Sequence, residues 1–159
     1  MCMFISNSEI ETMEFAKKLA SYLKTGDTII LSGDLGAGKT KFTEGFLSFF
    51  HLEDEISSPT FTIVNEYCKN DINVYHFDVY RLSCSDEFYA IGGDEYLEKG
   101  ICIIEWGEII EDIIPNDYIK ITIEKDLNHE FLRKIIINCK GNRFNSIIDK
   151  LKLDKETLN

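Results

Sequence analysis

The chain has 159 residues, 44% hydrophobic and 12% aromatic, which is enough to bury a core and too apolar for a disordered tail. Its net charge is −11 with Lys and Arg dispersed, which argues against holding nucleic acid on a broad basic surface, because that requires neutralising phosphates. Five cysteines (Cys2, Cys68, Cys84, Cys102, Cys139) form no C-x-x-C and do not cluster with His51, His76 or His129, which favours reduced thiols over a zinc site or disulfides.

In chain order, "MCMFISNSEIETMEF" lacks a basic region followed by an apolar segment, so no export signal is expected. No apolar run approaches the length of a membrane span, so the expected location is the cytoplasm, with no membrane partner. Ser8 and Glu11 have capping-box spacing, and Ile10, Met13, Leu19, Ala20 and Leu23 recur at helical spacing, which predicts a helix over 9–24 ended by Gly26-Asp27. "TIILS" reads as a short apolar strand, "GDLGAGKT" as a Gly-rich loop and "KFTEGFLSFF" as a helix. The polar stretch "EDEISSPT" leads into the strands "FTIVNEY" and "INVYHFD" around a turn at "CKND". "RLSCSDEFYAIGGDEYLEKG" reads as short helical pieces broken at Gly92-Gly93 and Gly100, and "ICIIE" as a buried parallel strand. "YIKITIE" and "EFLRKIIINC" alternate as a hairpin around "KDLNH", and "SIIDKLKL" as a terminal helix. No linker or repeat appears, so 1–159 reads as one α/β domain with a mostly parallel central sheet and antiparallel strands added at an edge.

The loop fits G-x-x-x-x-G-K-[ST] in the strand-loop-helix context that phosphate binding requires. Gly33, Gly36 and Gly38 let the backbone curl so that N–H groups of the loop, which also contains Asp34, Leu35 and Ala37, point at phosphate oxygens. The helix N-terminus adds partial positive charge. Lys39 is expected at the β- and γ-phosphates and the Thr40 hydroxyl at Mg²⁺. The bland alternative is a Gly-rich turn with a chance Lys-Thr, which four fixed positions in the right context make weak. A second ligand for Mg²⁺ is expected at a strand end, where Asp78 and Glu105 are the two candidates in a chain otherwise rich in ordinary exposed acids. Thr60 in "SSPTF" is either a residue sensing Mg²⁺ or γ-phosphate, or simply part of a turn.

Four separated stretches together resemble the bacterial TsaE family, the small ATPase of the tRNA threonylcarbamoyladenosine (t6A) pathway. They are "LSGDLGAGKT", "SSPTF" (Ser57 to Phe61), "YHFDVYRL" (Tyr75 to Leu82) and "ICIIEW" (Ile101 to Trp106), in the family's order and spacing over about residues 8–110. The phosphate loop is generic; "HFDVYRL" and "IEW" are the specific part. The resemblance implies a three-layer phosphate-loop NTPase fold and Mg²⁺-dependent ATP hydrolysis, weak in the isolated chain, within a complex containing TsaB and TsaD. There TsaD transfers the threonylcarbamoyl group to adenosine 37 of tRNAs reading ANN codons, and the ATPase supports turnover. Carried over by position, Asp78 and Glu105 are implied in Mg²⁺ handling or water positioning and Thr60 in γ-phosphate sensing. Trp106 is implied in the active-site region, although by physics alone it fills a core equally well. Arg81 is implied to pair with a carboxylate or face a partner. Glu9 or Thr12, before the first strand, and Arg133, in the late hairpin, are implied to line the adenosine pocket.

Two departures from the family pattern stand out. Lys41 occupies the position where a second Thr or Ser is usual, next to the phosphates, and Gly93 lies where the family often has a larger residue. The acidic charge is consistent with reaching tRNA only through the complex. Three other readings compete. A kinase would need several phosphate-clamping Arg or Lys, but the only Arg are Arg81, Arg133 and Arg143, none in an evident lid. A Ras-like GTPase would need Asn-Lys-x-Asp, which is absent. A nucleotide-gated binding module with no significant turnover fits the same residues.

Overall fold

The computed structural model describes residues 1–53, 62–115 and 117–156. In chain order the elements are β1 (Cys2–Ser6), α1 (Glu9–Ala20), β2 (Thr28–Ser32), α2 (Lys39–Phe49), β3 (Val64–Lys69) and β4 (Ile72–Asp78), then α3 (Ser85–Ala90), α4 (Gly93–Lys99), β5 (Ile101–Glu105), a 3₁₀ turn at Gly107–Ile110, β6 (Tyr118–Lys125), β7 (Arg133–Lys140) and α5 (Asn145–Glu156). One seven-stranded sheet has the order β1-β7-β6-β2-β5-β4-β3. The four central strands β6, β2, β5 and β4 are parallel. The antiparallel pairs β1–β7, β6–β7 and β3–β4 extend both edges, where one edge was expected.

Helices cover both faces, giving three layers. On one face α1, α2 and α5 cover Ile29, Leu31, Ile103 and Ile121 through Phe15, Leu19, Phe42, Phe46 and Ile147. On the other, α3 and α4 cover Ile30, Phe77, Cys102 and Ile104 through Phe88 and Leu97. The alternation of these two sets along β2 and β5 explains why "TIILS" and "ICIIE" are apolar throughout: each strand is buried on both sides. Gly45 brings α2 against α1 backbone to backbone, since a Cβ there would lie 2.3 Å from the Met13 carbonyl oxygen. At Gly93 a Cβ would come within 2.4 Å of the Phe88 ring, so that ring occupies the space a larger residue would need.

Several boundaries differ from expectation. The helix over 9–24 closes at Ala20, where Tyr22 and Leu23 bond to carbonyls three residues back and tighten the last turn. At its start the Ser8 hydroxyl caps the Glu11 amide at 3.1 Å, and the Glu11 carboxylate accepts from Asn7 N–H at 2.8 Å, one residue earlier than the usual box. The "CKND" turn narrows to Asn70-Asp71, both at positive φ as a two-residue hairpin demands, while Cys68 and Lys69 stay in β3. The strand β1 lies in a segment with no predicted element. Among the described residues its five residues pair only with β7, the C-terminal hairpin strand, so nothing local announces it.

Candidate functional site

The loop after β2 is shaped by what cannot fit there. Gly33 passes β6 so closely that a Cβ would lie 2.6 Å from the Ile123 carbonyl oxygen, and Gly36 and Gly38 take φ of +72° and +113°. Ala37 turns its methyl inward, 1% exposed, so it offers the site only its backbone. Leu35, 94% exposed, crowns the loop. The chain enters α2 at Lys39 with Gly38 as N-cap and no side-chain cap, so the first-turn N–H groups are left for an external acceptor. Lys39 Nζ donates to the carbonyls of Gly33 at 2.5 Å and Asp34 at 3.2 Å, which folds its ammonium over the loop. Thr40 is exposed in the first turn of α2. Uncapped N–H groups, glycines at positive φ and a lysine ammonium fit a polyphosphate.

Beside the loop, the carboxyl ends of three parallel strands lie in register, with Leu31 opposite Glu105 and Asp78 opposite Glu105. Leu31 faces the α1–α2 side, so both carboxylates belong to the face that carries α2. Asp78 accepts from the Tyr80 amide at 3.1 Å. Glu105, whose side chain is 12% exposed, accepts from His76 Nε2 at 2.9 Å. His76 is 2% exposed, and its Nδ1 has no hydrogen-bond partner among the described residues. Two adjacent carboxylates at the carboxyl ends of neighbouring strands suffice for Mg²⁺, which keeps water and phosphate oxygens as its other ligands.

Among the described residues, two cavities flank the loop. One of about 800 Å³ is lined by Ser32, Asp34, Lys39, Trp106, Glu108 and Lys125, among others. Trp106 is 46% exposed at φ +61° and packs its ring 4.9 Å from that of Tyr80, so it is a wall of the site and not a core filler. Glu108 accepts from Ser32 Oγ at 2.5 Å and Lys120 Nζ at 2.9 Å. Burial by itself pushes its carboxyl up, but these donors more than offset that and hold it below the ordinary value.

The second cavity, about 160 Å³, gathers Glu9, Thr12, Lys41 and Arg133 with Gly36, Gly38 and Phe131. Three residues expected at an adenosine pocket therefore do meet, although the Thr12 hydroxyl is 2.8 Å from Ser6 Oγ and engaged inside the protein. Lys41 Nζ reaches Glu44 at 3.0 Å and Glu9 at 3.9 Å, and the bond to Glu44 raises its pKa. That ammonium is thus turned toward acids on α1 and α2. Arg133 Nε donates to the Ala37 carbonyl at 2.8 Å, and its Nη1 to the carbonyls of Glu130 at 2.6 Å and Leu132 at 3.0 Å. Arg81 is exposed in the turn after β4. Thr60, like all of "SSPTF", lies outside the described residues.

Three site residues escaped the sequence reading. His76 carried a usable signal, since i, i+2 spacing in a strand puts it on the same face as Asp78. Glu108 sits three residues past Glu105, in a turn that the apolar pattern does not mark. Lys125 meets the loop across ninety positions of sequence and left no local trace. Among the described residues no group of three or more His, Cys, Asp or Glu is placed to hold a metal, and no helix is long and apolar enough to cross a membrane.

The family model described as "Threonylcarbamoyl adenosine biosynthesis protein TsaE" matches residues 6–135. A protein of Bacillus subtilis named tRNA threonylcarbamoyladenosine biosynthesis protein TsaE is 40% identical over 142 residues, 89% of this chain and 87% of its own. The protein of the same name from Rickettsia conorii is 40% identical over 148 residues, covering 92% and 85%. The crystal structure of Bacillus subtilis YdiB superposes with a TM-score of 0.77 at 34% identity, over 97% of this chain and 95% of that one.

Proposed function

The chain belongs to the TsaE family, and from that premise we propose that it is the ATP-binding and ATP-hydrolysing subunit of the bacterial machinery that makes t6A at position 37 of tRNA. The observation that carries the reading is the uncapped, glycine-shaped N-terminus of α2 on the sheet face that also bears Asp78 and Glu105. Loop N–H groups and Lys39 take the β- and γ-phosphates and offset charge that develops as the terminal phosphoryl leaves. Thr40 and one or both of Asp78 and Glu105 hold Mg²⁺, which when bound supplies further neutralisation of the phosphate oxygens. Glu105 or Asp78 orders the attacking water, and Glu105 is steadied by the buried imidazole of His76. The cavity between α1 and the β6–β7 hairpin takes the adenosine. Thr60 senses the γ-phosphate.

In this reading 1–159 acts as one cytoplasmic domain. It works with TsaB- and TsaD-like subunits that complete the slow hydrolysis, and it meets tRNA only through them, as its charge of −11 favours. The test is t6A formation in a reconstituted system over several turnovers, with wild type or Lys39→Ala. Sustained cycles with wild type alone support the reading, and modification indifferent to the protein overturns it. Glu105→Ala is expected to spare ATP binding and lose turnover; equal loss of both refutes that division of roles.

A further inference from the structure

We propose that Lys125 and Arg133 together form a latch behind the phosphate loop that aims its amide groups, with Lys125 as a positioning residue for the polyphosphate; this rests on the nucleotide-binding reading above. The β6–β7 register sets Lys125 directly opposite Arg133 at the last pair before the hairpin tip. Two cations in that relation repel each other. Here they diverge onto separate acceptors: Lys125 Nζ donates to the Leu35 carbonyl at 2.8 Å and Arg133 Nε to the Ala37 carbonyl at 2.8 Å.

Those two carbonyls begin the peptide units whose nitrogens belong to Gly36 and Gly38. A trans peptide is planar with C=O and N–H antiparallel, so pinning each oxygen toward the hairpin turns the N–H of Gly36 and of Gly38 the opposite way. Pinning has an effect here because glycine at positive φ tolerates either orientation of the plane at little steric cost. A Cβ built on Gly36 would sit 3.0 Å from Lys125 Nζ, and one on Gly38 would sit 3.9 Å from Arg133 Nε, so both cations lie on the Cβ side of these glycines. At the other end of the loop Lys39 holds the Gly33 and Asp34 carbonyls. Four of the loop's carbonyls are therefore bonded to cationic side chains, and the two central ones depend on a hairpin that is no part of the phosphate-loop motif.

The test is calorimetric titration of ADP into wild type, Lys125→Met and Lys125→Arg, with the ¹⁵N–¹H shift of Gly36 read in the nucleotide-free proteins. Lys125 is exposed, so both variants are expected to fold. Losing a charge-assisted bond predicts about tenfold weaker ADP binding in Lys125→Met, with most of it restored by Lys125→Arg. The Gly36 amide is expected to move in Lys125→Met and return in Lys125→Arg. Mere attraction between a lysine and phosphate is screened by salt, so the latch predicts that the loss persists between roughly 0.1 and 0.5 M salt. A loss that vanishes at the higher salt with the Gly36 amide unmoved overturns the latch, as does unchanged ADP affinity in Lys125→Met. Failure of the wild type itself to bind ADP overturns the nucleotide reading beneath it and is seen before any variant is compared.

Discussion

His76 gives the sharpest separation of structural from catalytic effects. His76→Leu puts an apolar side chain of similar reach in place of the imidazole and removes the donor to Glu105. Withdrawing a hydrogen bond to a charged acceptor costs about 1.5–3 kcal/mol. The same substitution removes the buried Nδ1, which lacks a partner among the described residues and whose burial costs about 1–3 kcal/mol. The two terms oppose each other, so the net change in stability is expected within about 1 kcal/mol, a shift in Tm of about 2–4 °C. Turnover has no such offset. A Glu105 carboxylate free to leave its position by about 1 Å is expected to lower ATP turnover by about tenfold to hundredfold. ATP affinity depends on the loop and Lys39 and is expected to stay within about threefold of wild type. Phosphate release, with the partner subunits present, measures the first quantity, calorimetric titration the second and thermal unfolding the third. His76→Gln, which retains an N–H donor, is expected to recover part of the turnover. Wild-type turnover in His76→Leu, or affinity falling in parallel with turnover, would refute the assignment of His76 to holding Glu105.

Gly45→Ala gains about 1 kcal/mol of helix propensity, but its methyl meets the Met13 carbonyl, and overpacking of up to about 3 kcal/mol outweighs the gain. A lower midpoint in urea is expected, and an unchanged or higher one contradicts the close approach of α1 and α2. Glu108 has a carboxyl held below its ordinary value, so its stabilisation is present above the unfolded carboxylate range near about 4.3 and is lost as pH falls through the lower folded value. Glu108→Gln should flatten stability across that acid window while leaving the curve near neutrality parallel to wild type, and an unchanged acid limb argues against the Ser32–Glu108–Lys120 cluster. Iodoacetamide at pH 8 is expected to label the exposed Cys68 and Cys84 first. Burial pushes Cys139 up to about 11 and Cys102 up to about 12, so labelling of Cys102 in the folded protein as fast as Cys84, followed by mass spectrometry, would contradict its place inside β5.

Much of this protein is legible locally because its signals are short-range. The glycines and Lys-Thr of the loop, and the apolar runs of β2 and β5, follow from steric rules and burial that act within a few residues. So does the alternation of β6 and β7, and the four stretches that carry the family resemblance are equally local. Tertiary structure alone decided the rest. β1 exists because β7 offers a free edge, a fact that five residues cannot announce. Asp78 and Glu105 are both strand-end acids in the sequence, and only the register of β4 on β5 makes them neighbours and gives Glu105 the imidazole of His76. Lys41 adjoins the phosphate-loop motif in sequence yet turns to Glu44, whereas Lys125, about ninety positions away, holds the loop itself. Chain order places a charge near a site, but the direction of its side chain is set by which acceptors the fold leaves within a few ångströms, and those acceptors come from segments distant in sequence.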